Sequence, residues 1–165
     1  LAMANGWESY VAYSRGRDGI RPCTSHLLPV GNKASVAWHG LMTRLFDRHG
    51  LSSAHATQAF LRQVDALQPD VIHIHNLHGY FLHYPLLFRY LSSRSIPVIW
   101  TVHDCWLYTG HCYHYSFVGC QRWQSGCGDC PQRREFPASW LVDRSRRNYI
   151  DKEKAFTSSH IGACI

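Results

Sequence analysis

The chain has 165 residues, 45% hydrophobic and 17% charged, a balance that suits one domain with a real core and excludes a disordered chain. No apolar run approaches the roughly 18 residues of a membrane span, and Leu1-Ala2-Met3-Ala4-Asn5 lacks the basic and apolar regions of a signal peptide. A net charge of +6 points toward anionic partners such as lipid headgroups, phosphorylated substrates or nucleic acid.

Glu8 to Tyr13 alternates polar and apolar residues and runs into Ser14-Arg15-Gly16-Arg17-Asp18-Gly19. That reads as a short strand closed by a turn. Ser35 to Arg48 reads as a helix, with Val36, Leu41, Leu45 and Phe46 near one face and Gly50 as its C-terminal cap. Ser53 is placed to cap a second helix whose buried stripe is Phe60, Leu61, Val64 and Leu67, and Pro69-Asp70 ends it. Val71 to His75 is the next strand, with Asn76 to Tyr80 as its exit loop. Pro85 opens a helix through Leu86, Leu87, Tyr90 and Leu91, which Ser92 to Ser95 closes. Ile96 to Val102 is a continuous apolar strand, as expected when helices cover both faces of a parallel sheet. Ser139 to Ala155 reads as a basic helix. The order β-α-α-β-α-β-loop-α predicts an α/β fold on a doubly wound parallel sheet.

In such a sheet, ligands bind beyond the carboxyl ends of the strands. Two successive strands end in polar residues, His75-Asn76-Leu77-His78-Gly79 and His103-Asp104, so both exits should share one rim. Imidazole hydrogen-bonds sugar hydroxyls or phosphate oxygens and moves protons near neutral pH. Asp104 could orient His103 or accept from a hydroxyl. The plainer alternative is that these groups only satisfy loop backbone. His73 and His75 alternate within a strand, which favours packing for them.

Five of the seven cysteines lie between His103 and Pro137. An odd number cannot all pair within one chain, and clustered cysteines without a secretion signal favour metal binding or free thiols. Cys112, Cys120, Cys127 and Cys130 are spaced C-x7-C-x6-C-x2-C. The closing Cys-Gly-Asp-Cys is a good half-site, and four thiolates would complete a closed structural zinc site, with His111 or Cys105 as substitute ligands. Reduced buried cysteines and two disulfides remain the alternatives. A catalytic zinc is disfavoured, because four thiolates leave no open position and the H-x-E with P-C-x-x-C of a zinc deaminase is missing. Trp106, Tyr108, Tyr113, Tyr115, Phe117 and Trp123 are interleaved with the cysteines. They could stack on sugars or bases, but a small core around the cluster is the more usual role. Pro131 to Lys154 carries seven basic and four acidic residues, either a lure for anionic lipid or a diphosphate, or simply a solvated helix face.

The segments Pro69-Asp70-Val71-Ile72-His73-Ile74-His75-Asn76-Leu77-His78-Gly79, Ile96 to Trp106 and Thr109-Gly110-His111-Cys112 together resemble bacterial glycosyltransferases of family 4. Gly119-Cys120, Gly126-Cys127, Cys130-Pro131 and Phe136-Pro137 resemble its branch serving capsular, exopolysaccharide or colanic-acid-type biosynthesis. The resemblance covers roughly Gly6 to Phe156.

It implies a GT-B enzyme with two Rossmann-like domains around a cleft, of which residues 1–156 would be part of the N-terminal, acceptor-side half. The family's first strand and glycine-rich loop would precede Leu1, residues 157–165 form an atypical tail, and the donor-binding C-terminal domain is not represented. The resemblance further implies a retaining transferase that uses a nucleotide-sugar donor, a glycan or lipid-linked saccharide acceptor and no catalytic metal. Its place is the cytoplasm, with peripheral contact at the inner face of the membrane. His103 matches the histidine that faces acceptor and transferred sugar. Asp104 joins it as a catalytic candidate, while Asn76, His78, Gly79 and Trp106 are acceptor-side candidates. The chain by itself is expected to be inactive. The rival readings are an inactive remnant and a zinc-stabilised nucleic-acid-binding module, although no nucleic-acid partner is expected.

Overall fold

A computed structural model describes residues 3–15 and 24–157. The turn expected through Gly19 and the tail beyond Thr157 fall mostly outside the described residues. β1 (Tyr10–Tyr13) and β2 (His26–Pro29) pair in parallel, with Tyr10 opposite His26 and Tyr13 opposite Pro29. β2 was not legible in the sequence: it is four residues long, ends in a proline and follows Thr24-Ser25, too little to register as strand alternation.

α1 (Lys33–Phe46) starts two residues earlier than the sequence suggests, because Asn32 and Ser35 cap each other reciprocally. Its buried face is also different. His39, Gly40 and Thr43 point inward, while Leu41 is 46% exposed and Phe46 40% exposed. The helix ends not at Gly50 but at Asp47, which adopts the left-handed conformation with φ 53° and donates its N–H to the Thr43 carbonyl. Gly50 also has positive φ, but for another reason. A Cβ there would lie 2.8 Å from the Tyr84 ring and 3.2 Å from Trp106.

α2 (Ala54–Leu67) buries Phe60 and Val64, as its stripe predicts. Ser53 precedes it, but its hydroxyl does not cap the helix. Ser53 Oγ instead meets His39 Nδ1 at 2.6 Å, and His39 Nε2 accepts from the Gly50 N–H at 2.9 Å. The second bond fixes the tautomer: Nε2 carries the lone pair, so Nδ1–H donates to Ser53. A fully buried histidine thus ties α1 to the α1–α2 loop.

β3 (Ile72–Ile74) pairs in parallel with β4 (Val98–Trp100), and α3 (Tyr84–Ser92) lies between them in the chain with Pro85 in its first turn. The α/β class holds. Among the described residues, however, the strands form two separate parallel pairs rather than one doubly wound sheet. β4 is not covered on both faces either: Val98 and Trp100 are buried and Ile99 is 47% exposed. α4 (Ser145–Thr157) begins six residues later than expected. The Asp143 carboxylate accepts from both the backbone N–H and the hydroxyl of Ser145 and so marks the start of the helix. α4 packs on α3, and Phe156 joins Phe88, Trp100, Tyr84 and Trp106 in an aromatic core with ring centroids 4.6 to 6.3 Å apart.

Burial, with a smaller push from His83, lowers the His39 pKa to about 4. The unfolded chain therefore takes up a proton near pH 6.5 that the folded chain resists. The neutral-form contribution should be complete above about pH 6.5 and lost as pH falls toward 4, on the order of 3 kcal/mol. Buried His49, lowered in the same direction, adds to the effect. Urea unfolding at pH 7.5 and 4.5 should show this loss, and His39→Gln should show a shallower pH dependence.

Candidate active site

The exits of β3 and β4 do share one rim. His75, Asn76, His78, His103 and Asp104 line a single shallow cleft, with Trp100, Trp106 and the intervening apolar residues as its floor. The parallel register that sets Ile74 beside Trp100 brings these two loops together, because both strands stop at the same end. His103 is exposed and stacks on His75, with its Nε2 3.0 Å from His75 Nδ1. One ring must donate and the other accept, so the pair is held together when at most one of them is charged. Burial, and then the neighbouring His73 and His103, lower the His75 pKa.

Asp104 is already committed. One carboxylate oxygen meets His78 Nε2 at 2.6 Å and the other accepts from the Trp106 N–H at 2.9 Å. Burial opposes its ionisation, but the bonds from His78 and Trp106 outweigh this and lower its pKa. It therefore orients His78 and caps the 3-10 turn Cys105–Leu107. His103, which sequence reasoning paired with Asp104, has His75 as its partner instead. Sequence alternation suggested that His73 and His75 are packed, yet both are exposed, and His73 Nε2 bonds Thr101 Oγ1 at 2.8 Å. The signal was present in the exposed alternate positions of an edge-like pair. Gly79 lies in the same exit loop, where a Cβ would crowd the Phe81 ring at 3.0 Å. Trp106 is only 2% exposed and works chiefly as core, packing edge-on against Tyr84 and His49 and tilted against His78.

A family model described as Glycosyltransferase Family 4 matches residues 3–149. The chain belongs to glycosyltransferase family 4. It is 25% identical over 164 residues to the "Putative colanic acid biosynthesis glycosyl transferase WcaC" of Escherichia coli (strain K12), an alignment covering 94% of this chain and 39% of that protein. The chain thus spans well under half the length of this curated relative. No solved structure matches it significantly.

Beneath the rim, the family 4 chain holds a buried polar network that sequence reasoning missed. Asp47 and His111 are fully buried, with His111 Nδ1 2.7 Å from Asp47 Oδ1. The other Asp47 oxygen accepts from the Arg144 N–H at 3.0 Å, and its carbonyl accepts from Asn148 Nδ2 at 2.9 Å. Lys152, read from sequence as part of a basic helix face, points inward. Its Nζ donates to the Trp106 and Thr109 carbonyls at 2.7 and 2.9 Å and lies 3.9 Å from the Trp106 ring centroid. Burial lowers its pKa to about 7, against the pull of Asp47. Arg144 and Arg147 both pair with Asp151. Lys152 is therefore spent internally, while Arg146, Arg147 and Lys154 stay on the exposed face of α4. Among the described residues no helix is long and apolar enough to cross a membrane.

The cysteines sit beside this network. Cys112, Cys120, Cys127 and Cys130 line one small cavity with His111, Thr109 and Trp123, and all four are free thiols. The Cys130 thiol hydrogen-bonds Cys112 and lowers its pKa to about 6 against the upward push of burial. The same contact, together with burial, pushes the Cys130 thiol up.

Gly110 is where this segment touches α4. A Cβ there would fall 2.0 Å from the Ser145 carbonyl oxygen and 2.8 Å from Cys127 Cβ, whereas one at Gly119 would meet nothing within 4 Å. Gly110→Ala should destabilise the protein by about 2–4 kcal/mol through overpacking, and Gly119→Ala by about 1 kcal/mol through its positive φ alone. Parallel urea titrations of the two variants read the difference. Lys152→Met should cost about 2–4 kcal/mol by leaving two buried carbonyls without their charged donor.

Proposed function

We propose that this chain forms the acceptor side of a glycosyltransferase that moves a sugar from a nucleotide-sugar donor to a glycan or lipid-linked saccharide in polysaccharide biosynthesis. The observation that carries the reading is the convergence of His75, Asn76, His78, His103 and Asp104 on one rim, at the ends of parallel strands in a chain that belongs to family 4. The similarity to a relative named for colanic acid biosynthesis supports the polysaccharide context. In the whole enzyme the two strand pairs would be parts of one Rossmann-like, doubly wound sheet, and a second domain would bring most of the donor contacts.

In this reading His103 is the catalytic residue, because its ring is exposed on the rim and free to meet a sugar hydroxyl with the edge not used by His75. His75 holds that ring in place. Asp104 acts by positioning His78, and Asn76 supplies an exposed amide to the acceptor. The transfer would proceed with retention, its positive charge stabilised by donor phosphates and not by a protein-bound metal. The protein would work in the cytoplasm, with any contact to the inner membrane face made peripherally.

Transfer should be measured with the whole encoded enzyme, using a panel of nucleotide sugars and a membrane extract as the acceptor source. His103→Ala should reduce kcat by about 10²-fold or more, with folding checked by circular dichroism. Asp104→Asn should raise KM for acceptor more than it lowers kcat. Undiminished transfer by His103→Ala would overturn the assignment.

A further inference from the structure

His111 presents an unsatisfied group. Its Nδ1 is engaged with Asp47, whose carboxylate accepts, so Nδ1 carries a proton and, in the neutral ring, Nε2 carries a lone pair. That Nε2 is buried and has no hydrogen-bond partner, in a side chain with no exposed surface. A buried acceptor without a donor is costly. His111 is also a wall of the cavity that the four cysteines line. A carboxylate on one imidazole nitrogen and a bare lone pair on the other is the arrangement in which histidine serves a metal, the carboxylate fixing tautomer and ring orientation.

The backbone around the cavity is held from several sides. The Gly110 N–H donates to Cys127 Sγ at 3.2 Å. The Cys130 N–H donates to the Asp143 carboxylate at 2.8 Å. Arg122 donates to the Gly128 carbonyl at 2.8 Å and to the carbonyl of Asp129, which pins the Cys-Gly-Asp-Cys turn. Asp129 adopts positive φ within that turn. Arg122 and Lys152 add positive charge beside a group of sulfurs, which would temper the negative charge of several thiolates.

We propose that this cavity is a structural site for one soft divalent cation of the zinc class, closed by His111 Nε2, the Cys127 thiolate and two further thiolates from Cys112, Cys120 and Cys130. As the side chains stand, no three His, Cys, Asp or Glu groups among the described residues are arranged to hold a metal ion. Cys112 and Cys130 hydrogen-bond each other instead. Closure therefore takes rotation of cysteine side chains on an anchored backbone, with loss of the thiol protons as the metal–sulfur bonds form. A disulfide between Cys112 and Cys130 would consume two sulfurs yet leave the His111 lone pair unpartnered. A metal with three sulfurs and one nitrogen satisfies it. The site would be closed and structural, with no open coordination position, and would brace the segment that follows the catalytic rim.

The test is elemental analysis of the whole encoded protein, purified without chelator from zinc-supplemented cells, with X-ray absorption at the zinc edge. The expected result is about one zinc per chain, with a first shell of three sulfurs and one nitrogen. Cys127→Ser should lose the metal, while Cys105→Ser, outside the cavity, should keep it. If Cys127→Ser fails to fold, chelator-stripped wild-type protein titrated with Co²⁺ supplies the same answer through its thiolate-to-metal absorption. Zinc below about 0.1 per chain, with the four cysteines recovered as free thiols or disulfides, would overturn the proposal. A shell of four sulfurs would overturn the assignment of His111.

Discussion

Asp47 is the constraint on which the arrangement depends. A fully buried carboxylate must have partners, and it draws them from remote parts of the chain. His111 is 64 residues away, Arg144 97 and Asn148 101. Its backbone lies in the left-handed region at the end of α1, so its side chain and carbonyl are both presented at a helix terminus. Three elements are thereby registered by directional bonds: α1, the cysteine-bearing segment and α4. Lys152 contributes from the other side of the same junction by binding the carbonyls of Trp106 and Thr109. The rim is held above this junction because Asp104 and Trp106 begin the segment that Asp47 anchors further along.

The histidines show how far residue type alone can mislead. His39 is structural and neutral, locked between Ser53 and Gly50. His111 is structural on one nitrogen and open on the other. His75 and His103 hold each other at the surface, and His78 is gripped by Asp104. The difference lies in the partner of each nitrogen, which no spacing rule records. The rim needs exposed imidazole, whereas burial favours the neutral form at His39 and His49.

Much of the rim's geometry was readable. The polar ends of two apolar strands, combined with parallel pairing, place His78, His103 and Asp104 together by geometry alone. The stripe of α2 and the placement of Pro85 in α3 followed from helix periodicity and proline's fixed φ. What failed did so for physical reasons. In α1 a polar triplet, His39, Gly40 and Thr43, takes the inward face because buried hydrogen bonds reward it, and a hydrophobic count points the wrong way. α4 starts late because Asp143 supplies a local side-chain bond that periodicity does not see. The pairing of His103 with His75 rather than Asp104 depends on side-chain direction at adjacent strand ends. β2 is too short and too near a proline to announce itself.

The two-handed grip of Asp104 has an evolutionary corollary. Because this carboxylate fixes both His78 and the first turn of the segment that follows, the rim is insulated from what happens farther along that segment. The exposed turn from Ser116 to Gly119, with Phe117 and Val118 facing solvent and open space around Gly119, is free to lengthen, shorten or diverge without disturbing the imidazoles. A lineage could therefore vary this exposed turn at little cost while the imidazoles of the rim stay where they were.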